Sequence, residues 1–272
     1  MPLSPIEIYK KILPKTDCKK CGESTCLAFA TKVVVEKKPI SMCPYINKED
    51  LDRYSKILED QYKKGKWVKK DISKDALKWA KQRAIETDIL SVKDRIGGEI
   101  VKFKGKEALK LPYFTTHVYI TEEDIFCEQK ELSRYEKVFL YNHIAQGGKK
   151  EPTGKFIPFH ELPNTISKQK SMKKHVEEPL ENGFKNKTEL LIKRGFSIGG
   201  KDVSNEYKAD VALKFKPLPK IPLILLFWDE EKGQEYFPAK AMLLFDETII
   251  DHLDIESILF LCEHLVSLLL KN

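Results

Sequence analysis

Long hydrophobic runs are missing from this chain. The longer ones, such as Pro222–Trp228 and Ile258–Cys262, fall far short of the roughly 18–20 apolar residues that a membrane-spanning helix requires. The first twelve residues carry charges and no apolar core, so they do not read as a secretory signal. A cytoplasmic protein without membrane contact is expected. There is no internal repeat and no Gly-x-x-x-x-Gly-Lys-Ser/Thr loop, which excludes the common phosphate cradle. No two histidines show metal-ligand spacing, so His117, in a strand pattern, His143, near a helix end, and His160, in a Pro-rich loop, each read as structural. Beyond residue 43 cysteine is scarce. Cys127 and Cys262 stand alone and read as packing, Cys262 on the apolar face of the last helix.

The other four of the six cysteines fall within the first 43 residues. In a reducing compartment such clustering indicates metal ligands or redox groups rather than disulfides. The charge is equally uneven. Residues 1–70 hold 16 Lys/Arg against 9 Asp/Glu and so account for the whole formal excess of +7. A basic segment suggests nucleic acid, but thiolates bound to a metal centre lower that local excess, and a nucleic-acid partner is not expected.

The spacing is Cys18-x2-Cys21-x4-Cys26-x16-Cys43, followed by Pro44. A tight loop supplies three thiolates and a distant fourth closes the cage, which suits a cubane iron–sulfur cluster. Structural zinc is the alternative, although zinc sites usually show two short Cys-x2–4-Cys knuckles and only one standard knuckle exists here.

Local patterns set the elements around these cysteines. Ser4-Pro5-Ile6-Glu7 is a helix-start signature, with Ile8, Tyr9, Ile12 and Leu13 as the apolar face and Pro14 as the stop. A second helix is expected from Ser24 or Thr25 to before Pro39, facing inward with Leu27, Thr31, Val34 and Val35, and Cys26 near its positive end. A third, capped by Asn47, carries Leu51, Tyr54, Ile57 and Leu58. Residues 1–60 are thus expected to form a small helical cluster domain. The basic stretch 61–73 reads as a linker, either a solvated surface or a docking patch for an acidic partner.

Residues 74–272 mix periods. Ser73–Leu90 reads as one helix. Gly98–Lys104, Glu107–Leu111 and Tyr113–Ile120 read as strands, and Gln129–His143 as a helix closed by Gly147-Gly148. An irregular region, Lys149–Lys173, follows. Helices are expected within 174–195 with Gly195 as a stop, then strands at Asp210–Lys216, Pro222–Trp228 and Ala241–Phe245, and a final helix from about Asp254 to Leu270. Without regular strand–helix alternation, the fold class expected is α+β with a mostly antiparallel sheet.

The segments Ile8-Tyr9-Lys10, Leu13-Pro14-Lys15, Cys18-Lys19-Lys20-Cys21-Gly22-Glu23-Ser24-Thr25-Cys26-Leu27-Ala28-Phe29-Ala30 and Cys43-Pro44-Tyr45 closely resemble the N-terminal domain of the large subunit of the corrinoid iron–sulfur protein. The resemblance covers roughly residues 4–47. It implies one [4Fe–4S] cluster held by Cys18, Cys21, Cys26 and Cys43, and a redox partner in anaerobic, corrinoid-linked metabolism such as a corrinoid methyltransferase system, since the cluster of that family reduces cobalamin. Lys19 stands where that family usually has glycine, so left-handed backbone there would be strained, and Lys19 and Lys20 raise the potential of a cluster beside them. The cobalamin-binding Asp-x-His-x-x-Gly pattern is absent from the chain. Instead, Thr153–Pro163, Pro217–Glu231 and Leu243–Asp246 resemble the domain of unknown function numbered 3786, which implies no established activity.

Other candidates are weaker. Gly195-Phe196-Ser197-Ile198-Gly199 matches Gly-x-Ser-x-Gly by letters but lacks a preceding strand. Asp229, Glu230, Glu231 and Asp246 flank two strand ends expected to be neighbours, and the loop Gly154–Pro163 offers Phe156, Phe159 and His160 as pocket lining. No catalytic constellation is visible. The functions expected are therefore single-electron transfer or, alternatively, a non-redox adaptor in which the cluster braces the small domain and the large one binds a ligand or partner.

Overall fold

The computed structural model describes residues 3–63, 72–230 and 237–271. The chain divides into two compact units, residues 1–72 and 73–272.

In the first unit α1 (Pro5–Lys11) starts with the capping box of Ser4 and Glu7. The helix α2 (Cys26–Glu36) is capped by Thr25, whose hydroxyl accepts from the Ala28 N–H. Its inward face differs from the expected one. Cys26, Phe29, Ala30, Val33 and Val34 are buried, Leu27 and Thr31 are exposed, and Val35 is half-buried. The stripe is rotated because Cys26 faces inward as the first helical residue. In α3 (Lys48–Lys63), which Asn47 caps, Leu58 and Gln61 are buried and Ile57 is exposed.

That helix also runs three residues into the stretch read as a linker, and the reason is polar. Buried Gln61 accepts from the Leu3 N–H at 2.7 Å and donates to the Leu3 carbonyl at 3.0 Å. The Tyr62 hydroxyl donates to the Val33 carbonyl. Residues 64–71 of the expected linker lie outside the described residues.

The second unit is α+β. Helices α4 (Ile72–Ile85) and α5 (Ile89–Ile96) replace the single helix expected over Ser73–Leu90. Asp88 breaks it: its carboxylate accepts from the Leu90 N–H and starts a new helix. Next, β1 (Glu99–Phe103), β2 (Lys106–Tyr113), β3 (Thr116–Ile120) and β4 (Ile125–Cys127) form an antiparallel meander. Tyr113 ends β2 rather than opening β3. The helix α6 (Arg134–Gln146) is capped by Ser133 and closed by Gly147.

The region 149–173 is mostly irregular but holds β5 (Phe156–Pro158) and α7 (Gln169–Met172). A π turn at Lys173–Glu177 leads into α8 (Glu178–Phe184), followed by α9 (Thr188–Ser197). Gly195 does not stop α9. It lies buried within that helix, where an added Cβ would sit 2.4 Å from the Leu213 side chain, so it sets how closely helix and sheet approach. The chain then forms β6 (Lys201–Asp202), β7 (Val211–Leu218), β8 (Ile221–Trp228), β9 (Lys240–Asp246), α10 (Ile249–His252) and α11 (Ile255–Leu270). The second sheet has the order β5-β9-β8-β7-β6 and is antiparallel throughout.

The run Ile221–Phe227 is continuously apolar because β8 is central and covered on both faces. Leu223, Leu225 and Phe227 enter the main core, while Ile224 and Leu226 join Ala212 and Leu244 in a smaller cluster on the other side. Pro222 fits a central strand because the β7–β8 register shifts there, between Phe215 and Leu218. Among the described residues no helix is long and apolar enough to cross a membrane.

Candidate metal centre

The loop between α1 and α2 is shaped by backbone conformations that glycine adopts freely and other residues do not. Asp17, Lys19 and Gly22 have φ of +45°, +61° and +81°. Lys19 therefore has the left-handed backbone that is strained for a lysine. The Gly22 N–H donates to the Lys19 carbonyl at 2.9 Å, which closes the turn that carries Cys18 and Cys21. Cys26 opens α2, so its sulfur lies at the positive end of that helix. Its N–H donates to the Asp17 carboxylate at 2.6 Å, tying loop to helix. Cys43 follows a short 3-10 turn at Ile40–Met42 that brings the chain back.

All four cysteines line one small cavity, together with Leu13, Pro14, Phe29 and Pro44. Cys21, Cys26 and Cys43 are buried and Cys18 is half-buried, and none is in a disulfide. Two carboxylates also reach the cavity, but both are committed. Asp17 holds the Cys26 N–H, and Glu23 is clamped by Lys38 at 2.5 Å and Lys32 at 3.0 Å, which hold it below the usual carboxylate range. The thiols are thus the donors left uncommitted, a soft set suited to iron–sulfur clusters or zinc. Among the described residues no group of three or more His, Cys, Asp or Glu side chains is arranged to hold a single metal ion; the four cysteines surround a space rather than meet at a point.

Backbone N–H groups approach two of the sulfurs. The Lys20 N–H is the main reason the Cys18 thiol lies below its usual range. Burial pushes the Cys43 thiol up, with the Tyr45 N–H working against it and the other three thiols adding repulsion. Lys20 Nζ stands 5.0 Å from the centre of the Tyr45 ring. The sequence pattern did not reveal Asp17, Glu23 or Lys38 as parts of this site, because their roles depend on contacts across the loop.

The remaining candidates are not brought together. Asp229 and Glu230 follow β8 beside the start of β9, and Asp246 ends β9 at the opposite end of the sheet. Asp246 is buried and accepts from the N–H groups of Thr153, Gly154 and Thr248, while Glu230 pairs with Lys185. Glu231 lies outside the described residues. In the loop Gly154–Pro163, Phe156 and Phe159 part company. Phe156 packs on the smaller cluster, and Phe159 lines a pocket with His160, Met172, Glu177 and Met242. Ser197 ends α9 and donates to the Arg194 carbonyl at 2.7 Å, which is no nucleophile elbow. Cys262 is buried and its thiol is pushed up by that burial. Cys127 is half-buried in β4, its sulfur 3.8 Å from the Thr116 hydroxyl. His117 is exposed on β3. His143 is buried with Nδ1 3.2 Å from the His252 carbonyl, and burial pushes it down to about 4.

One polar cluster in the second unit gave no signal in the sequence. Buried Glu136 accepts from the Tyr113 hydroxyl at 2.9 Å and from Lys130 at 2.5 Å, with His264 Nε2 3.1 Å from Lys130 Nζ. It ties β2 and α6 to α11. Its members are spread over residues 113–264, so no local spacing reveals it.

A four-cysteine helical unit followed by a two-sheet α+β unit defines a two-part protein, with a soft-donor site in the first unit and an extensive apolar core in the second. The chain belongs to the family described as "Domain of unknown function (DUF3786)", whose model matches residues 88–268. A second model, described as "Putative Fe-S cluster", matches residues 13–45. The chain is 44% identical over 54 residues to the acetyl-CoA decarbonylase/synthase complex subunit gamma of Methanocaldococcus jannaschii, covering 20% of this chain and 11% of that one. It is 30% identical over 148 residues to subunit gamma 2 of the same complex in Methanosarcina thermophila, covering 53% and 27%. The corrinoid/iron-sulfur protein large subunit of Moorella thermoacetica is 49% identical over 47 residues, covering 17% and 10%. The chain therefore spans between about a tenth and about a quarter of the length of these relatives. No solved structure matches it.

Proposed function

We propose that Cys18, Cys21, Cys26 and Cys43 hold one [4Fe–4S] cluster and that the protein transfers single electrons to a partner in corrinoid-linked one-carbon metabolism. The observation that carries this reading is the single cavity lined by four free cysteines, with every other nearby acid already committed. The names of the relatives support the metabolic setting: a corrinoid/iron-sulfur protein and the gamma subunits of an acetyl-CoA decarbonylase/synthase complex.

A cluster of this type supplies a one-electron couple. The chain's own part is to provide four thiolates and to set the energy of the added electron. The N–H groups of Lys20 and Tyr45, the positive end of α2 and the cations Lys19 and Lys20 all favour the more negative, reduced form. They raise the potential relative to a site lacking them.

The test is a potentiometric titration of protein purified without oxygen. A reversible one-electron couple below roughly −350 mV, inside the range such clusters span, is the expected result. A cluster that no reductant can reduce would remove electron transfer and leave the second reading, a bracing cluster beside a ligand-binding unit. One feature favours that second reading: a cleft of about 430 Å³ in the large unit, lined by Ile85, Leu90, Ile100, Leu109, Tyr141 and Ile144 among others, a size suited to small ligands.

A further inference from the structure

The four cysteines are unequally covered. Cys21, Cys26 and Cys43 keep 8%, 6% and 7% of their surface, whereas Cys18 is only half-buried. Electron transfer weakens steeply with distance, so a partner reaches the site most closely at the Cys18 edge.

That edge carries cations on strained backbone. Lys15 and Lys19, three residues before Cys18 and one after it, both have φ of +61°. A side chain is disfavoured there and glycine is not. Asp17, also left-handed, has a visible structural reason, since its carboxylate holds the Cys26 N–H. The Lys19 backbone closes the cysteine turn through its carbonyl, but the side chains of Lys15 and Lys19 have no such role. Both are exposed, and among the described residues neither forms an ion pair, whereas Lys32 and Lys38 are both held by Glu23. Lys20 is exposed as well and stacks on Tyr45, which is 51% exposed and lies two residues past Cys43. With three lysines and one aspartate, the stretch from Lys15 to Lys20 carries a formal +2. A lysine side chain kept where glycine would be unstrained points to function, and exposed cations beside an aromatic side chain suit recognition of carboxylates.

We propose that Lys15, Lys19, Lys20 and Tyr45 form a docking surface at the Cys18 edge for a redox partner protein that presents carboxylates around its own electron-transfer centre. This rests on the cluster assignment above. Charge on this surface steers the encounter, so its effect fades as salt rises.

The experiment uses the full chain with its cluster and hexacyanochromate(III), an inert paramagnetic trianion standing in for the carboxylate patch. Selective, saturable broadening of the Tyr45 ring and lysine side-chain NMR signals at low salt is expected, lost by about 0.5 M salt. In parallel, the reduced protein is oxidised by anionic cobalt(III)–EDTA or cationic hexaamminecobalt(III), one electron passing from cluster to cobalt and giving cobalt(II). At low salt the Lys19→Glu/Lys20→Glu variant should lose roughly five- to tenfold of the anionic rate and gain in the cationic one. Lys19→Gly should lose roughly twofold of the anionic rate while unfolding at a higher temperature, an outcome that a merely structural lysine would not give. Broadening centred elsewhere, or unchanged rates in the double variant with an intact cluster, overturns the proposal alone. Zinc without sulfide in the purified protein overturns the cluster reading and the proposal with it.

Discussion

Residues 1–72 and 73–272 solve the problem of making a core in different ways. In the larger unit, α11 buries Ile258, Leu261, Leu265 and Leu269 against helices and strands drawn from most of its length. In the smaller unit, twelve described residues form the buried cluster, and three of them are Cys21, Cys26 and Cys43. A unit of that size buries little apolar surface and usually depends on a further tie. Its four cysteines bound a small cavity, so a group held there would act as part of the fold. The lesson is that the two units should fail separately and for different causes.

The largest expected effect follows from that contrast. Cys43→Ala, or removal of the bound group by a chelator under oxygen, should abolish the unfolding transition of the small unit and leave that of the large unit in place. Calorimetry that resolves the two transitions checks this; a single transition lost as a whole would join the units energetically. The reverse substitution comes next. Leu265→Ala, at a fully buried position of α11, should cost the large unit about 2–5 kcal/mol, measured by denaturant unfolding, with the visible spectrum of the small unit unchanged.

The third effect is a pH dependence confined to the large unit. Burial lowers His143 from its ordinary value of 6.5 to about 4. The folded unit therefore favours the neutral ring, and the unfolded chain takes up the proton first. Stability is fully present above about pH 6.5 and falls as pH drops toward 4, by roughly 3 kcal/mol from this group in the limit. His143→Gln should make that part of the pH profile shallower, the remainder coming from His264, which burial also lowers to about 4. An equally steep profile in the variant would assign the proton uptake elsewhere. The smallest effect is a gain: Lys19→Gly relieves left-handed strain at φ +61° and should stabilise the small unit by about 1 kcal/mol, measured by thermal melting.

Much of the small unit was legible in sequence because its signals are local. The capping box of Ser4 and Glu7, the stop at Pro14, the Asn47 cap and the cysteine spacing each lie within a few residues. The face of α2 differs from the expected one because Cys26, at the start of the helix, also belongs to its apolar stripe, with Phe29, Ala30, Val33 and Val34. The end of α3 carries no local signal: Gln61 and Lys63 are polar in sequence, while the contact that holds Gln61 is with Leu3, 58 residues away. In the large unit the apolar run of β8 and the amphipathic α11 were clear, as were most strands. Short β4, β5 and β6 were missed, since two or three residues carry no period. The proximity expected for Asp229, Glu230 and Asp246 failed on topology: antiparallel pairing of β8 and β9 sends their far ends apart. The Glu136 cluster, assembled from β2, α6 and α11, needed the tertiary fold to be seen.

The most direct measurement is the iron, zinc and acid-labile sulfide content of protein purified without oxygen, for the native chain and for each of Cys18→Ala, Cys21→Ala, Cys26→Ala and Cys43→Ala. The expected result is about four iron and about four sulfide per native chain, with the cluster lost or broken down in every one of the four variants and retained in Cys127→Ala and Cys262→Ala. About one zinc per chain with no sulfide, or a full cluster in a variant lacking any of the four cysteines, would contradict it.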